Sequence, residues 1–307
     1  MSNTLAASRP RVALPLAGLV LATLAAVGFS FKAILVKLAY RHGVDAETLL
    51  ALRMSYSLPF FLVMGWRARR GAAQALTRTD VLALAGLGFF GYYLASYLDF
   101  LGLNDISAGL ERVILFIYPT IVVLLSAIFL GKPLTRRVLL ALALCYLGVS
   151  IAVVHDLHAM GGATSVMVGS VLVFASAVSY ALYLMGNGLV VGRIGASRVT
   201  AVASTVACLL SIGQFLLMRP VASLAQPLAV HGLALAMAVF CTVVPVWCLS
   251  EAIRRIGAGP VALMGSLGPI ITLALGWMLL GESLGLYQLA GAALVIGGVL
   301  VMARGTS

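Results

Sequence analysis

The sequence predicts an all-α polytopic membrane protein with ten transmembrane helices in two inverted five-helix repeats. Its composition, its apolar runs and its self-similarity at one fixed offset lead there. Of the 307 residues, 62% are hydrophobic and 9% charged, and the mean hydropathy is +1.11. Globular domains carry about 25% charged residues, so this chain lacks the polar surface to wrap a water-soluble fold. At about 20 residues per span plus a short loop, its length accommodates ten helices and leaves nothing for a soluble domain. The formal charge of +11 would suggest nucleic acid in a soluble chain. Here most basic residues sit in short gaps between apolar runs, where they set topology and meet anionic headgroups. The expected contacts are therefore membrane lipids, with no nucleic acid.

Apolar runs fall at 13–36, 47–66, 81–102, 108–130, 136–154, 165–188, 198–218, 228–250, 258–280 and 286–303. The first follows Arg9 and Arg11 but is about twice as long as a signal-peptide core, so it is an uncleaved helix. Gly18, Ala22, Ala26 and Ser30 recur along it every four residues, which allows close helix packing, and it carries Lys32. The second run carries Arg53. The third presents Tyr92, Ser96 and Asp99 at i, i+4, i+7, and the fourth presents Glu111, Leu115 and Tyr118 at the same spacing, with Arg112 and Pro119 alongside. Residues 155–164 read as a periplasmic linker, in which His155-Asp156-Leu157-His158 is a solvated turn rather than a metal site. The sixth run places Tyr180, Tyr183 and Asn187 on one face; the eighth holds Phe240, Pro245, Trp247 and Glu251; the ninth holds Ser266 and Pro269. Cys145, Cys208, Cys241 and Cys248 lie inside apolar runs without a CxxC pair and read as small core residues. No metal and no cofactor is expected.

Ten runs put both termini on one side. That side collects fourteen basic residues, among them Arg67, Arg69, Arg70, Lys132, Arg254 and Arg304, against Arg41 and Arg219 opposite and Lys37 at a boundary. By the positive-inside rule both termini, the tails 1–12 and 304–307, are cytoplasmic, and the compartment is the inner (plasma) membrane.

A shift of 150 residues without a gap lays Ile106-Ser107-Ala108-Gly109 on Ile256-Gly257-Ala258-Gly259, Pro119 on Pro269, Leu130-Gly131 on Leu280-Gly281 and Gly148-Val149 on Gly298-Val299. A shift of 151 sets Ala26-Val27 on Ala177-Val178. Each repeat thus holds five helices, 13–154 and 165–303. Because five is odd, the second copy enters the bilayer from the opposite side, an architecture suited to alternating access.

The segment Ser250-Glu251-Ala252-Ile253-Arg254-Arg255-Ile256-Gly257-Ala258-Gly259-Pro260, then Pro269, then Leu279-Leu280-Gly281-Glu282 resembles the signature of EamA-type transporters in the drug/metabolite transporter superfamily. The first half offers Asn104-Asp105-Ile106-Ser107-Ala108, Pro119 and Leu130-Gly131-Lys132, with Lys132 where the family usually has Glu and Val27 where it often has Trp. The resemblance covers nearly the whole chain. It implies a solute transporter, often an exporter, with a central cavity lined by the first, third, fourth, sixth, eighth and ninth helices.

Five ionisable residues lie inside the runs: Lys32, Arg53, Asp99, Glu111 and Arg112. At the bilayer centre each would cost roughly 2.5–3.5 kcal/mol unpaired, and helix rise puts all five in one layer towards the non-cytoplasmic ends. Three roles are open for them: a structural network, a cation holding an anionic group of the solute, or a carboxylate carrying a coupled proton. Tyr92, Ser96, Tyr118, Tyr180, Tyr183 and Trp247, with Ser266, suit an amphipathic small-molecule solute, because rings supply contact area and polar atoms fix orientation. Pro119 and Pro269 are candidate hinges. An intramembrane enzyme and a channel are the alternatives. Gly265-Ser266-Leu267-Gly268 superficially resembles a nucleophile motif, but His231 lies about 15 Å away in depth, and the stripes are too interrupted for a channel lining. The reading is a carrier for a small organic metabolite, an amino acid or derivative on resemblance, with its oligomeric state undetermined.

Overall fold

The computed structural model describes residues 16–70, 76–131, 133–160 and 162–303, so Arg9, Arg11, Lys132, Arg304 and both tails lie outside the described residues. Nearly everything described is helical. The helices are α1 (Leu16–Tyr40), α2 (Ala46–Arg70), α3 (Arg78–Gly102), α4 (Ala108–Leu130), α5 (Arg136–Met160), α6 (Ala163–Ile194), α7 (Ala196–Met218) and α8 (Leu228–Ile256). Two further helices complete the set: α9, in the pieces Ala258–Gly265 and Gly268–Leu280, and α10 (Leu286–Ala303). The first eight are long and apolar enough to cross a membrane, and the last two are shorter apolar helices.

Local chemistry sets the ends. Thr77 and Asp80 form a reciprocal capping box that opens α3, and Asp45 accepts from the Thr48 backbone N–H at 2.9 Å to open α2. Ser107 accepts from the Leu110 N–H at 3.0 Å to open α4. Each cap satisfies an N–H that the first helical turn leaves free. Gly131 and Gly281 close α4 and α9 in the left-handed region, at φ 64° and 71°, which a side chain would resist.

The duplication is visible in the backbone. Residues 116–117 interrupt α4 and residues 266–267 interrupt α9, 150 positions apart, each followed by a proline, Pro119 or Pro269, at the start of the continuing helix. Proline lacks the N–H that would continue the ladder. A π-helical stretch widens α3 at Phe89–Leu94 and α8 at Val239–Val243, again starting 150 positions apart.

Packing follows the same symmetry. The four largest interfaces pair α5 with α10, α2 with α7, α1 with α8 and α3 with α6. Exchanging each helix for its mate five further on maps the last two pairs onto each other and the first two onto themselves. The α5–α10 seam is close: a Cβ added at Gly148 would lie 2.6 Å from the Gly291 carbonyl oxygen, and one at Gly291 2.5 Å from that of Gly148. Small residues let two backbones approach this way in lipid. The outer faces are apolar and bare, Leu217 being 89% exposed, as expected where hydrocarbon is the solvent.

One boundary differs from the sequence reading. Helix α5 runs to Met160, so His155, Asp156 and His158 lie on its last turns rather than in a linker, and α6 opens at Ala163. Asp156 is buried and accepts from the Ser107 N–H at 2.8 Å and from its hydroxyl at 2.9 Å. This tertiary bond draws polar residues that read as loop into the helix.

Candidate solute site

Three helices bring the charged layer together. Lys32 lies eight residues before the end of α1, Asp99 in the last turn of α3 and Glu111 in the first turn of α4. Lys32 Nζ donates to Asp99 Oδ2 at 2.6 Å and lies 3.1 Å from Glu111 Oε1. Glu111 is 0% exposed. Neither of its oxygens has a hydrogen-bond partner among the described residues, and Asp99 Oδ1 also lacks one. One lysine therefore serves two buried carboxylates.

The other two cations stand apart. The Arg53 guanidinium lies over the Phe100 ring, 5.3 Å from its centroid, and its Nε donates to Thr242 Oγ1 at 3.3 Å. Cation–π contact substitutes here for a carboxylate. Arg112 packs against the interruption of α9, where a Cβ on Gly268 would meet its Nη2 at 2.6 Å and its Nε at 3.1 Å. Among the described residues its Nε has no partner, and no carboxylate forms a salt bridge with it. Lys32, Asp99 and Glu111 thus form one cluster, and the Arg53 and Arg112 guanidinium groups rest on Phe100 and at Gly268.

The tyrosines do converge. Tyr92 and Tyr183 share a hydrogen bond at 3.0 Å, Tyr180 stacks on Tyr183 with centroids 5.6 Å apart, and Tyr118 meets Tyr180 edge-on at 5.2 Å. Arg112 lies near enough to Tyr118 and Tyr180 to interact electrostatically. The arrangement is a ring wall from α3, α4 and α6 ending at a guanidinium. Ser96 is half-buried between Tyr92 and Asp99, but the π stretch widens the turn and rotates Tyr92 away from the position that 3.6 residues per turn assigns. Ser266 is buried at the α9 interruption. Next to it the Gly268 carbonyl accepts from the Ser30 hydroxyl at 3.3 Å.

Trp247 stays outside this group, 62% exposed. Glu251, on the same stripe, is held by its helical neighbours Arg254 and Arg255 at 2.5 and 2.7 Å. His231 pairs with the Tyr56 hydroxyl at 2.9 Å.

Sequence reasoning missed a polar cluster at the face away from the termini. Glu282 reaches from the second repeat to the start of α4 and accepts from the Ala108 and Gly109 N–H groups at 2.8 and 3.3 Å. Gln288 donates to Ser107 Oγ at 3.3 Å. Arg41 donates to the Leu280 carbonyl at 2.6 Å, and His155 Nε2 meets the Ser283 carbonyl at 3.2 Å. Burial pushes the Glu282 carboxyl above the ordinary range while the two N–H donors hold it back. The signal was present in Ser107, an N-cap residue opening a helix, but its partners are distant in sequence.

The model of the EamA-like transporter family matches residues 16–154 and again 167–304. An uncharacterized transporter of Bacillus subtilis (strain 168), YcbK, is 32% identical over 302 residues, covering 94% of this chain and 92% of that one. A second from the same organism, YyaM, is 26% identical over 231 residues, 75% of each chain. A solved crystal structure with 19% identity superposes with a TM-score of 0.64 over 94% of this chain and 99% of its own, a likeness of fold. With both repeats matched and a relative aligned along almost its whole length, the chain belongs to the EamA-like transporter family of the drug/metabolite transporter superfamily and is a multi-pass membrane transporter.

Proposed function

We propose that the protein moves a small organic solute carrying a carboxylate, an amino acid or a derivative, across the inner (plasma) membrane by alternating access, with both termini in the cytoplasm and export as the direction. The observation that carries this reading is Arg112, a guanidinium without a carboxylate partner among the described residues, set against the α9 interruption at Gly268 and within electrostatic range of Tyr118 and Tyr180. A guanidinium offers a carboxylate two parallel donors, and interrupted helices in inverted-repeat carriers line the solute site. The rings supply apolar contact. Cross-repeat polar bonds of Glu282, Gln288, Arg41 and His155 gather at the face away from the termini, while Asp80 with Arg193 is the described cross-repeat ion pair near the other face. That bias supports loading from the terminal side.

The test is flux in proteoliposomes containing isotopically labelled amino acids. Saturable, stereoselective movement of unchanged solute is expected, and Arg112→Gln should reduce it about 10- to 100-fold, the worth of one charged hydrogen-bond set at roughly 1.5–3 kcal/mol. Flux without saturation would indicate a channel, and a chemically altered solute an enzyme. A folded Arg112→Gln protein with wild-type flux would remove Arg112 from the site.

A further inference from the structure

Lys32, partly exposed, faces two buried carboxyl groups, Asp99 and Glu111. Glu111 has no exposed surface, and neither of its oxygens receives a hydrogen bond from any described residue. Lys32 Nζ is committed to Asp99 at 2.6 Å and reaches Glu111 Oε1 at 3.1 Å out of hydrogen-bond alignment. The charged and titratable groups facing Glu111 are Lys32 from α1, Asp99 from α3 and its neighbour Arg112 on α4. Arg112 is turned to Gly268. A second buried carboxylate, desolvated and beside a first, is unstable as an anion. One ammonium thus faces two carboxyl groups, 2.6 Å from Asp99 and 3.1 Å from Glu111, and a proton on one of the two balances the charge.

We propose that Glu111 holds a proton in this conformation, beside the Lys32–Asp99 ion pair, and that its release on wetting is the ion-coupling step of transport. This rests on the carrier reading above. In this conformation the cluster is neutral: Lys32 ammonium, Asp99 carboxylate, Glu111 carboxylic acid. When the halves rock and water reaches the layer, the Glu111 O–H bond breaks, water takes the proton as hydronium, and the new carboxylate is stabilised by Lys32 and water. Rebinding a proton restores neutrality and lets the layer close. One proton moves per cycle, with no change of oxidation state. Lys32, whose side chain is 19% exposed, is the member through which water enters.

The experiment is infrared spectroscopy of the intact protein in phosphatidylethanolamine–phosphatidylglycerol vesicles. At neutral pH the wild type should show a protonated-carboxyl stretch that Glu111→Gln abolishes and Glu111→Asp shifts. Its absence in the wild type, or persistence unchanged in Glu111→Gln, overturns the proposal. Where Glu111→Gln does not fold, the Glu111→Asp shift decides alone. Amino acids that move in the flux assay are then tested under an imposed pH gradient. Glu111→Gln should lose accumulation driven by the gradient; unaltered accumulation overturns the coupling. If no amino acid moves through the wild type, the solute assignment fails while the infrared band still decides where the proton is.

Discussion

The two repeats share a backbone and differ in charge. Both interrupt their fourth helix before a proline, both widen their third with a π stretch, and both close the fourth on a left-handed glycine. The side chains at matching positions diverge. Asp99, Glu111 and Arg112 correspond at the 150-residue shift to Leu249, Val261 and Ala262, and Lys32 corresponds at the 151-residue shift to Tyr183. One half carries the ions and the other contributes rings and backbone, including the Gly268 position against which Arg112 rests. Duplication thus repeats the backbone, and divergence makes the two halves chemically unequal.

The end of the fourth helix differs as well. In the second repeat, α9 finishes in a π turn over Gly276–Leu280, and Glu282 folds back to cap α4. In the first repeat, α4 ends in α-helical geometry and the matching residue is Lys132, a side chain that has no acceptor to offer. The latch at one face therefore has no equivalent at the other that its residue type could make.

Substitutions at paired positions separate what the halves share from what they do not. The largest contrast is expected at Lys32 and Tyr183. Lys32→Met strands the buried Asp99 carboxylate beside Glu111 and should destabilise by about 3–5 kcal/mol, whereas Tyr183→Phe removes one neutral hydrogen bond worth about 1 kcal/mol. Thermal unfolding in detergent measures both, and adding Asp99→Asn and Glu111→Gln to Lys32→Met should restore most of the loss. Equal shifts from the two single substitutions would mean that the charge asymmetry carries no energetic weight. Next come Gly148→Ala and Gly298→Ala, mates on the α5–α10 seam. A Cβ at Gly298 would lie 2.8 Å from the Ala141 carbonyl oxygen, so each should lose a similar amount, about 1–3 kcal/mol by overpacking; a large difference would show that the seam is not symmetric. The smallest effect belongs to Glu282→Ala, which removes a cap worth about 0.5–2 kcal/mol. Cysteine labelling near Ala108 should then become faster, and unchanged labelling would deny Glu282 its role in holding that face shut.

Much of the fold was legible because hydropathy reads directly as span and the Gly and Pro matches pin the offset between copies. The candidate site was legible only in part. Lys32, Asp99 and Glu111 met as their depths implied, and four tyrosines on three helices converged. Arg53 and Arg112 make other contacts, with the Phe100 ring and at Gly268, since depth fixes height in the bundle but not the groove into which a long side chain turns. Asp156 and Glu282 were hidden for another reason. A carboxylate near a helix end reads as solvated until the N–H groups it caps, about fifty and about one hundred and seventy positions away, are placed beside it.

The sequence by itself determined that the chain lives in lipid, crosses it repeatedly and is built twice over, because burial of apolar spans and the glycine and proline punctuation act locally, within a helix or its turn. Only the tertiary structure decided which charges neutralise one another, which arginine faces a helix interruption and where Glu282 caps α4 across the repeats. Those outcomes depend on contacts between residues far apart in the chain, where an ångström of separation decides whether a buried charge has a partner.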